Sequence, residues 1–381
     1  MSMRRYSKFL DFYLNQSKMS FRRKTPTSSL RSGTKPFLNG QTLVSSGLSE
    51  LDTALGGGLM LGTLNMVETQ SDSSLDVGAG ASDSMAVDLL RYFVAEGVAG
   101  GQRVAMVAPD ALEFVKYQLP LELSIAQRQV KQQIADNDKE NPLTIAWQYA
   151  KYEQKQQTKD RFCHSFDLSK TMHGEMLTAN EPIAIDLLSW AENTVGEVYE
   201  RLYLTVEEIV TRQKENGGQV LRLGLIGLGS PLLGPADTSH MAALFKFSRR
   251  LRSLVVQSKG TVCLVALGSD VVNAFPDPFL NELRHVSDTV LALNSFAGSL
   301  DLLPDELQEF QGSLTLQKLP RVHALACHAP SNTRFGVKRG HRKLKIEKFH
   351  LPPEGSRSSN SSSCGGNTSS PGHNGTDPLA F

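Results

Sequence analysis

The segment Ser46–Glu68, SGLSELDTALGGGLMLGTLNMVE, restricts the fold more than any other stretch of the 381-residue chain. Leu48, Leu51 and Leu55 recur at the spacing that places side chains on one face of a helix. Gly56, Gly57 and Gly58 follow, and three residues without a Cβ let the backbone turn through conformations closed to other residues. Thr63–Glu68 then reads as a strand opened by Gly62. The unit is helix, sharp turn, strand, and on the residues alone the glycines need serve only that geometry.

Further along, the apolar pattern predicts alternating helices and strands. Ser84–Glu96 reads as a helix with Ser82 or Ser84 as cap, Leu89, Leu90, Phe93 and Val94 on one face, and Gly97 as its end. Arg103–Ala108 is the next strand, so the unit implies a parallel pair with a crossover connection. A long helix is expected over 186–214 and another over His240–Lys259, the latter with Leu244, Phe247, Leu251 and Leu254 inward. Val220–Gly227 and Thr261–Leu267 read as strands, the second apolar throughout and therefore central. Shorter strands at Thr289–Leu293, Ser313–Lys318 and Lys343–Lys348, with few helices between them, predict an antiparallel or mixed edge. Residues 110–183 read as a polar insertion with one helix near 125–136. The expected fold class is α/β, a mostly parallel central sheet flanked by helices.

The expected domain spans 39–353. Residues 1–38 read as a disordered basic arm, since residues 1–35 hold nine Lys/Arg and one acid, Asp11. A tether for RNA or an acidic partner, an organellar presequence and a plain solvated tail all fit that composition. Residues 354–381 form a Ser/Gly-rich tail with too little apolar surface to order itself. The net charge of +1 gives no global field for nucleic acid, so any such surface is a local patch. The four cysteines form no CxxC or CxxH pair, which points away from zinc and toward reduced thiols in cytoplasm or nucleus. Cys163-His164 beside Asp167 reads as structural, because adjacent residues rarely present a nucleophile to its base. No apolar run reaches the roughly 18 residues of a membrane span.

The Ser46–Glu68 segment resembles the lead-in to RecA-like and KaiC-like ATPase domains, where the strand is followed by GxxxxGK[ST] and the lysine reaches the β- and γ-phosphates. Here the strand continues into TQSDSSLDVGAGASDS, without a lysine or arginine and with Asp72, Asp76 and Asp83. At an effective dielectric near 20, one charge pair 4 Å apart is worth about 4 kcal/mol, so carboxylates in place of the lysine oppose a polyphosphate. Thr69, Gln70, Ser71, Asp72, Ser73 and Ser74 are therefore read as a degenerate phosphate loop. The strand that should end in a Mg²⁺-binding acid, LRLGLIGLGSPLLG, has no acid from Val220 until Asp237. The competing reading is an active RecA-like ATPase with an atypical loop.

Four segments in order, NGQTLVSSGLSELDTALGGGLMLGTL from Asn39, AWQY with RFCHSFDLSK over 146–170, LRLGLIGLGSPLLG over 221–234, and KIEKFHLPPE over 345–354, resemble the family of the fourth Elongator subunit. The resemblance implies a RecA-like domain without working Walker motifs, joined to the fifth and sixth subunits in a heterohexameric ring and, through it, to core subunits one to three. It implies a ring that binds tRNA, associated with ATP hydrolysis, within a complex that modifies the wobble uridine, the chemistry lying in a different, radical-SAM subunit. It implies no cofactor and no catalytic or metal-binding residue in this chain, and a place in cytoplasm and nucleus.

Candidate tRNA contacts are the densest basic patch, Lys338, Arg339, Arg342, Lys343 and Lys345, and the helix residues Lys246, Arg249 and Arg250, which the helical period places on one flank. In a hairpin, Lys343 and Lys345 would share a face opposite Ile346. A subunit interface or an ordinary solvated face fits the same residues. Arg284 and Arg321 are candidates for contact with a neighbouring subunit's nucleotide site.

Overall fold

The computed structural model describes residues 31–70, 79–123, 162–190, 192–215, 219–298, 303–304, 307–321 and 330–349. Strands β1 (Thr34–Pro36), β2 (Thr42–Val44) and β3 (Leu59–Met60) form a small antiparallel sheet around helix α1 (Ser49–Ala54). β1 falls inside the span expected to be an arm, so order begins earlier than residue 39. The triple glycine turns the chain as expected: Gly56, Gly57 and Gly58 all take positive φ, at 83°, 133° and 126°.

The main sheet has nine strands among the described residues. Along the chain come β4 (Leu64–Gln70), helix α2 (Ala79–Ala99) and β5 (Arg103–Ala108). A small hairpin-like pair, β6 (Pro120–Glu122) and β7 (Phe166–Thr171), precedes α3 (Gly174–Asn180) and β8 (Ile183–Asp186). Then follow α4 (Val195–Glu215), β9 (Leu221–Ile226), α5 (Thr238–Ser258), β10 (Thr261–Leu267), α6 (Ser269–Ala274), α7 (Asp277–Val286) and β11 (Thr289–Ser295). The chain closes with β12 (Gly312–Lys318), β13 (Arg334–Arg339) and β14 (Leu344–Lys348). The order is β14-β13-β12-β11-β4-β10-β9-β5-β8. From β11 to β8 every pairing is parallel, and from β11 to β14 every pairing is antiparallel.

Strand alternation splits the core into two layers. Val104, Met106, Leu264 and Ala266 face α2, while Ala105, Val107, Val265 and Leu267 face α4, α5 and α7. In β9, Leu221, Leu223 and Leu225 join the second layer, and Arg222 and Gly224 point at α2. α5 buries Leu244, Phe247, Leu251 and Leu254, the face its period predicts, and Asp237 caps it by accepting from His240 N at 2.8 Å. Each such leucine contributes about 2–5 kcal/mol when compared with alanine.

Several local expectations are overturned. β4 and β5 are not neighbours; β10 and β9 insert between them. Neither Ser82 nor Ser84 caps α2, which runs from Ala79, and Ser82 is buried with its Oγ accepting from Ser295 N. Gly97 does not end α2. It is where the helix passes so close to β9 that a Cβ would meet Arg222 Cδ at 2.7 Å and Val104 Cγ2 at 2.6 Å. The helix expected from 186 begins at Val195, because 183–186 pairs with β5 instead. A short apolar run does not distinguish strand from helix. The real start carries its own signal: Glu197 reaches back to Thr194 N at 3.0 Å, half of a capping box. β13 lies where the apolar pattern predicts no strand. The helix predicted near 125–136 lies outside the described residues.

Candidate functional site at the carboxyl edge of the sheet

In open α/β sheets, ligands bind beyond the carboxyl ends of the parallel strands. Here that edge is made by the ends of β4, β10 and β9 and the first turns of α2 and α6. Thr69 and Gln70 end β4; Ser71, Asp72, Ser73 and Ser74 lie outside the described residues.

The polar groups at this edge are committed to each other. Asp83, one turn into α2, accepts from Thr69 Oγ1 at 2.7 Å, Ser269 N at 2.8 Å and Ser269 Oγ at 2.6 Å. One carboxylate thus ties β4, α2 and the start of α6. Ser230, after β9, donates to Asp270 at 3.1 Å. Glu68, 1% exposed on β4, accepts from Arg284 Nε on α7 at 2.7 Å. Of these three carboxylates Glu68 is paired with a cation, Arg284, while Asp83 and Asp270 accept from hydroxyl and backbone donors. The arrangement suits bracing strands and opposes a bound polyphosphate.

The loop beyond β9 is fixed by a buried chain of polar groups. His240 Nδ1 lies 3.1 Å from the Pro235 carbonyl, so it carries the proton, and Nε2 accepts from Tyr199 OH at 3.0 Å. The same hydroxyl accepts from Gly229 N at 2.9 Å. Burial pushes the Tyr199 phenol well up, which keeps it a donor. The GSPLLG stretch is thus held by Tyr199 of α4, a residue sequence reading did not single out.

A second buried network braces the other end of the sheet. Arg222, fully buried, donates to Gln102 Oε1 at 2.6 Å, Ser45 O at 2.7 Å and Phe93 O at 3.2 Å. Burial lowers its guanidinium to about 10, against the attraction of Glu96 and Asp52. Asp52 accepts from Ser45 Oγ, Ser46 N and Ser46 Oγ, yet burial still raises its carboxyl above the usual value. Glu96 holds His164 at Nδ1, 2.9 Å, and at its backbone N, 2.8 Å. Burial pushes the Cys163 thiol up to about 12, and Asp167 turns instead to Ser169, so the three residues form no nucleophile–base set.

The basic candidates divide. Lys338 pairs with Glu347 at 2.7 Å and Glu309 at 2.9 Å, over the Phe310 ring, and these carboxylates raise its ammonium. Arg339 pairs with buried Asp88 at 2.6 Å. Arg342, Lys343 and Lys345 are exposed, and Ile346 is buried on the opposite side, as the hairpin alternation predicts. Lys246 and Arg250 both engage Glu200 of α4, and Arg250 stacks on Tyr203 at 3.5 Å, so they tie α4 to α5. Arg249 does not share their flank; it lines a groove toward α7. Arg284 is held by Glu68 and Asn281 of this chain. Arg321 is exposed. No described helix is long and apolar enough to cross a membrane.

The PAXNEB protein family matches residues 27–381. The chain is 31% identical over 363 residues to Elongator complex protein 4 of Danio rerio, covering 88% of each. Over 364 residues it is 28% identical to Elongator complex protein 4 of Dictyostelium discoideum, covering 85% of this chain and 77% of the relative. The Homo sapiens protein of that name is 26% identical over 377 residues, with 88% and 85% covered.

Proposed function

Because the chain belongs to the PAXNEB family, that of Elongator complex protein 4, we propose that it is a noncatalytic RecA-like subunit of the Elongator complex. In this reading it joins the fifth and sixth subunits in a heterohexameric ring that binds tRNA and supports wobble-uridine modification. Similarity along 88% of both chains supports the membership. The observation that carries the noncatalytic reading is the carboxyl edge, where Asp83 ties β4, α2 and α6 together and Glu68 holds Arg284.

The exposed set Arg342, Lys343 and Lys345 is the tRNA contact we favour over Lys338, Arg339, Lys246 and Arg250, whose charges are met by carboxylates of the same chain. For a site shared with a neighbouring subunit, exposed Arg321 is a better candidate than Arg284.

Co-purification from the native source followed by mass spectrometry tests the membership, with the fifth and sixth subunits expected. Isolated chain should neither bind nor hydrolyse ATP. Turnover abolished by substitutions at Ser71–Ser74 would establish the active ATPase in its place.

A further inference from the structure

A groove of about 560 Å³ lies between α5 and α7, on the side of the sheet opposite α2. Phe245, Arg249, Arg252 and Val256 line it from α5, at spacings of four, three and four residues, so one stripe of that helix faces it. His285 and Val286 line it from α7. The core-facing stripe of α5 is a different one, Leu244, Phe247, Leu251 and Leu254; Phe245 and Val286 pack against the margin of that core, and Val256 stands outside it. Val256 is left 45% exposed.

The charges are placed with equal asymmetry. Arg252 reaches buried Asp288 at 2.8 Å. Arg249 lies over the Phe245 ring at 5.7 Å and has no carboxylate within ion-pair distance among the described residues. An apolar strip beside an uncommitted guanidinium matches an amphipathic helix with acidic flanks, the helix-in-groove mode in which side chains at i, i+3 or i+4, and i+7 enter the channel. A nucleic-acid backbone matches less well. It would gain nothing from Phe245, Val256 and Val286, and a polyanionic backbone needs several cations where Arg249 is the uncommitted one among the lining residues. The chain's own residues 1–30 are a poor occupant, since they are strongly basic.

We infer that the α5–α7 groove is a protein-docking surface for an acidic, apolar helix presented by another subunit of the assembly. This rests on the membership proposed above, and the test separates the two. The full chain is mixed with the purified fifth and sixth subunits, and affinity and hydrogen exchange are measured. In the wild type, exchange at 245–257 and 282–286 should slow on assembly. Arg249→Glu and Val256→Glu should each weaken assembly at least tenfold at unchanged thermal stability, and Arg249→Lys should retain most of the affinity. Variants that assemble like the wild type, or unchanged exchange in both spans, overturn the groove alone. A wild-type chain that does not bind these subunits overturns the membership and the groove together. Protection that appears with tRNA rather than with the subunits overturns the protein occupant in favour of RNA.

Discussion

Replacing Arg222 with methionine gives the sharpest test of how the fold is braced. Methionine keeps much of the apolar stem and removes the donors. Gln102 Oε1, Ser45 O and Phe93 O each lose a donor within 3.2 Å, inside a core where Arg222 is fully buried. Glu96 and Asp52 lose the cation that attracts both. Breaking a buried charge cluster by removing one member costs about 3–5 kcal/mol, because the remaining charges stay desolvated. Against a total stability of about 5–15 kcal/mol that is a large fraction. Urea unfolding followed by circular dichroism should show a lower midpoint at an unchanged slope. Adding Glu96→Gln and Asp52→Asn to Arg222→Met should cost less than the sum of the separate losses, since neutral partners no longer need the cation. A loss below about 1 kcal/mol for the single variant would show that Arg222 is no brace. Strict additivity of the three substitutions would show that the charges are not coupled.

Asp83→Ala removes the acceptor of three hydrogen bonds and should cost about 2–3 kcal/mol; urea midpoints equal to wild type would show that the edge is held by other contacts. Tyr199→Phe strands His240 Nε2 and Gly229 N and should cost about 1–3 kcal/mol, read as faster exchange at Gly229; an unchanged rate there would refute it. Asp52, with its folded pKa above the unfolded value, contributes stability that is present below the unfolded pKa near 3.8 and lost as pH rises through the folded value. Asp52→Asn should therefore gain on the wild type between pH 4 and pH 7 in urea titrations, and a constant difference across that range would contradict the raised pKa. Charge reversal at Arg342 and Lys343 should weaken tRNA binding by the assembled ring and flatten its salt dependence, whereas reversal at Lys246 should leave both unchanged.

The parts of the fold carried by periodicity were legible in the sequence. The inward face of α5, the wholly apolar β10 and the triple-glycine turn follow from spacing and from the absence of a Cβ. What was not legible depends on partners distant in sequence. Gly97 looked like a terminator, yet its role is set by Arg222, whose neighbours Ser45 and Gln102 are 177 and 120 residues away from it. β13, RFGVKR, has a glycine and three cations; it is a strand because it pairs on both sides with β12 and β14 and because Gly336 admits the Phe310 ring. The basic residues were legible as types, but carboxylates elsewhere in the chain decide which of them remain available. Nothing at positions 246 and 250 announces that Glu200 will meet them. Likewise, no local pattern marks Asp83 as the residue that will bind Ser269.

The position of β4 bears on how the chain is made. It lies between β10 and β11, and its partner for Leu64 is Cys263, roughly 200 residues later. At a synthesis rate of about 5–20 residues per second, β4 leaves the ribosome some 10–40 seconds before either neighbour exists. During that interval LNMVETQ has no mate on either side, and its open backbone is a template for pairing with other chains. Pairings this non-local also form slowly once both strands are present. The yield of soluble chain in cells should therefore depend on chaperones that shield the first third of the sequence more than on the stability of the finished sheet.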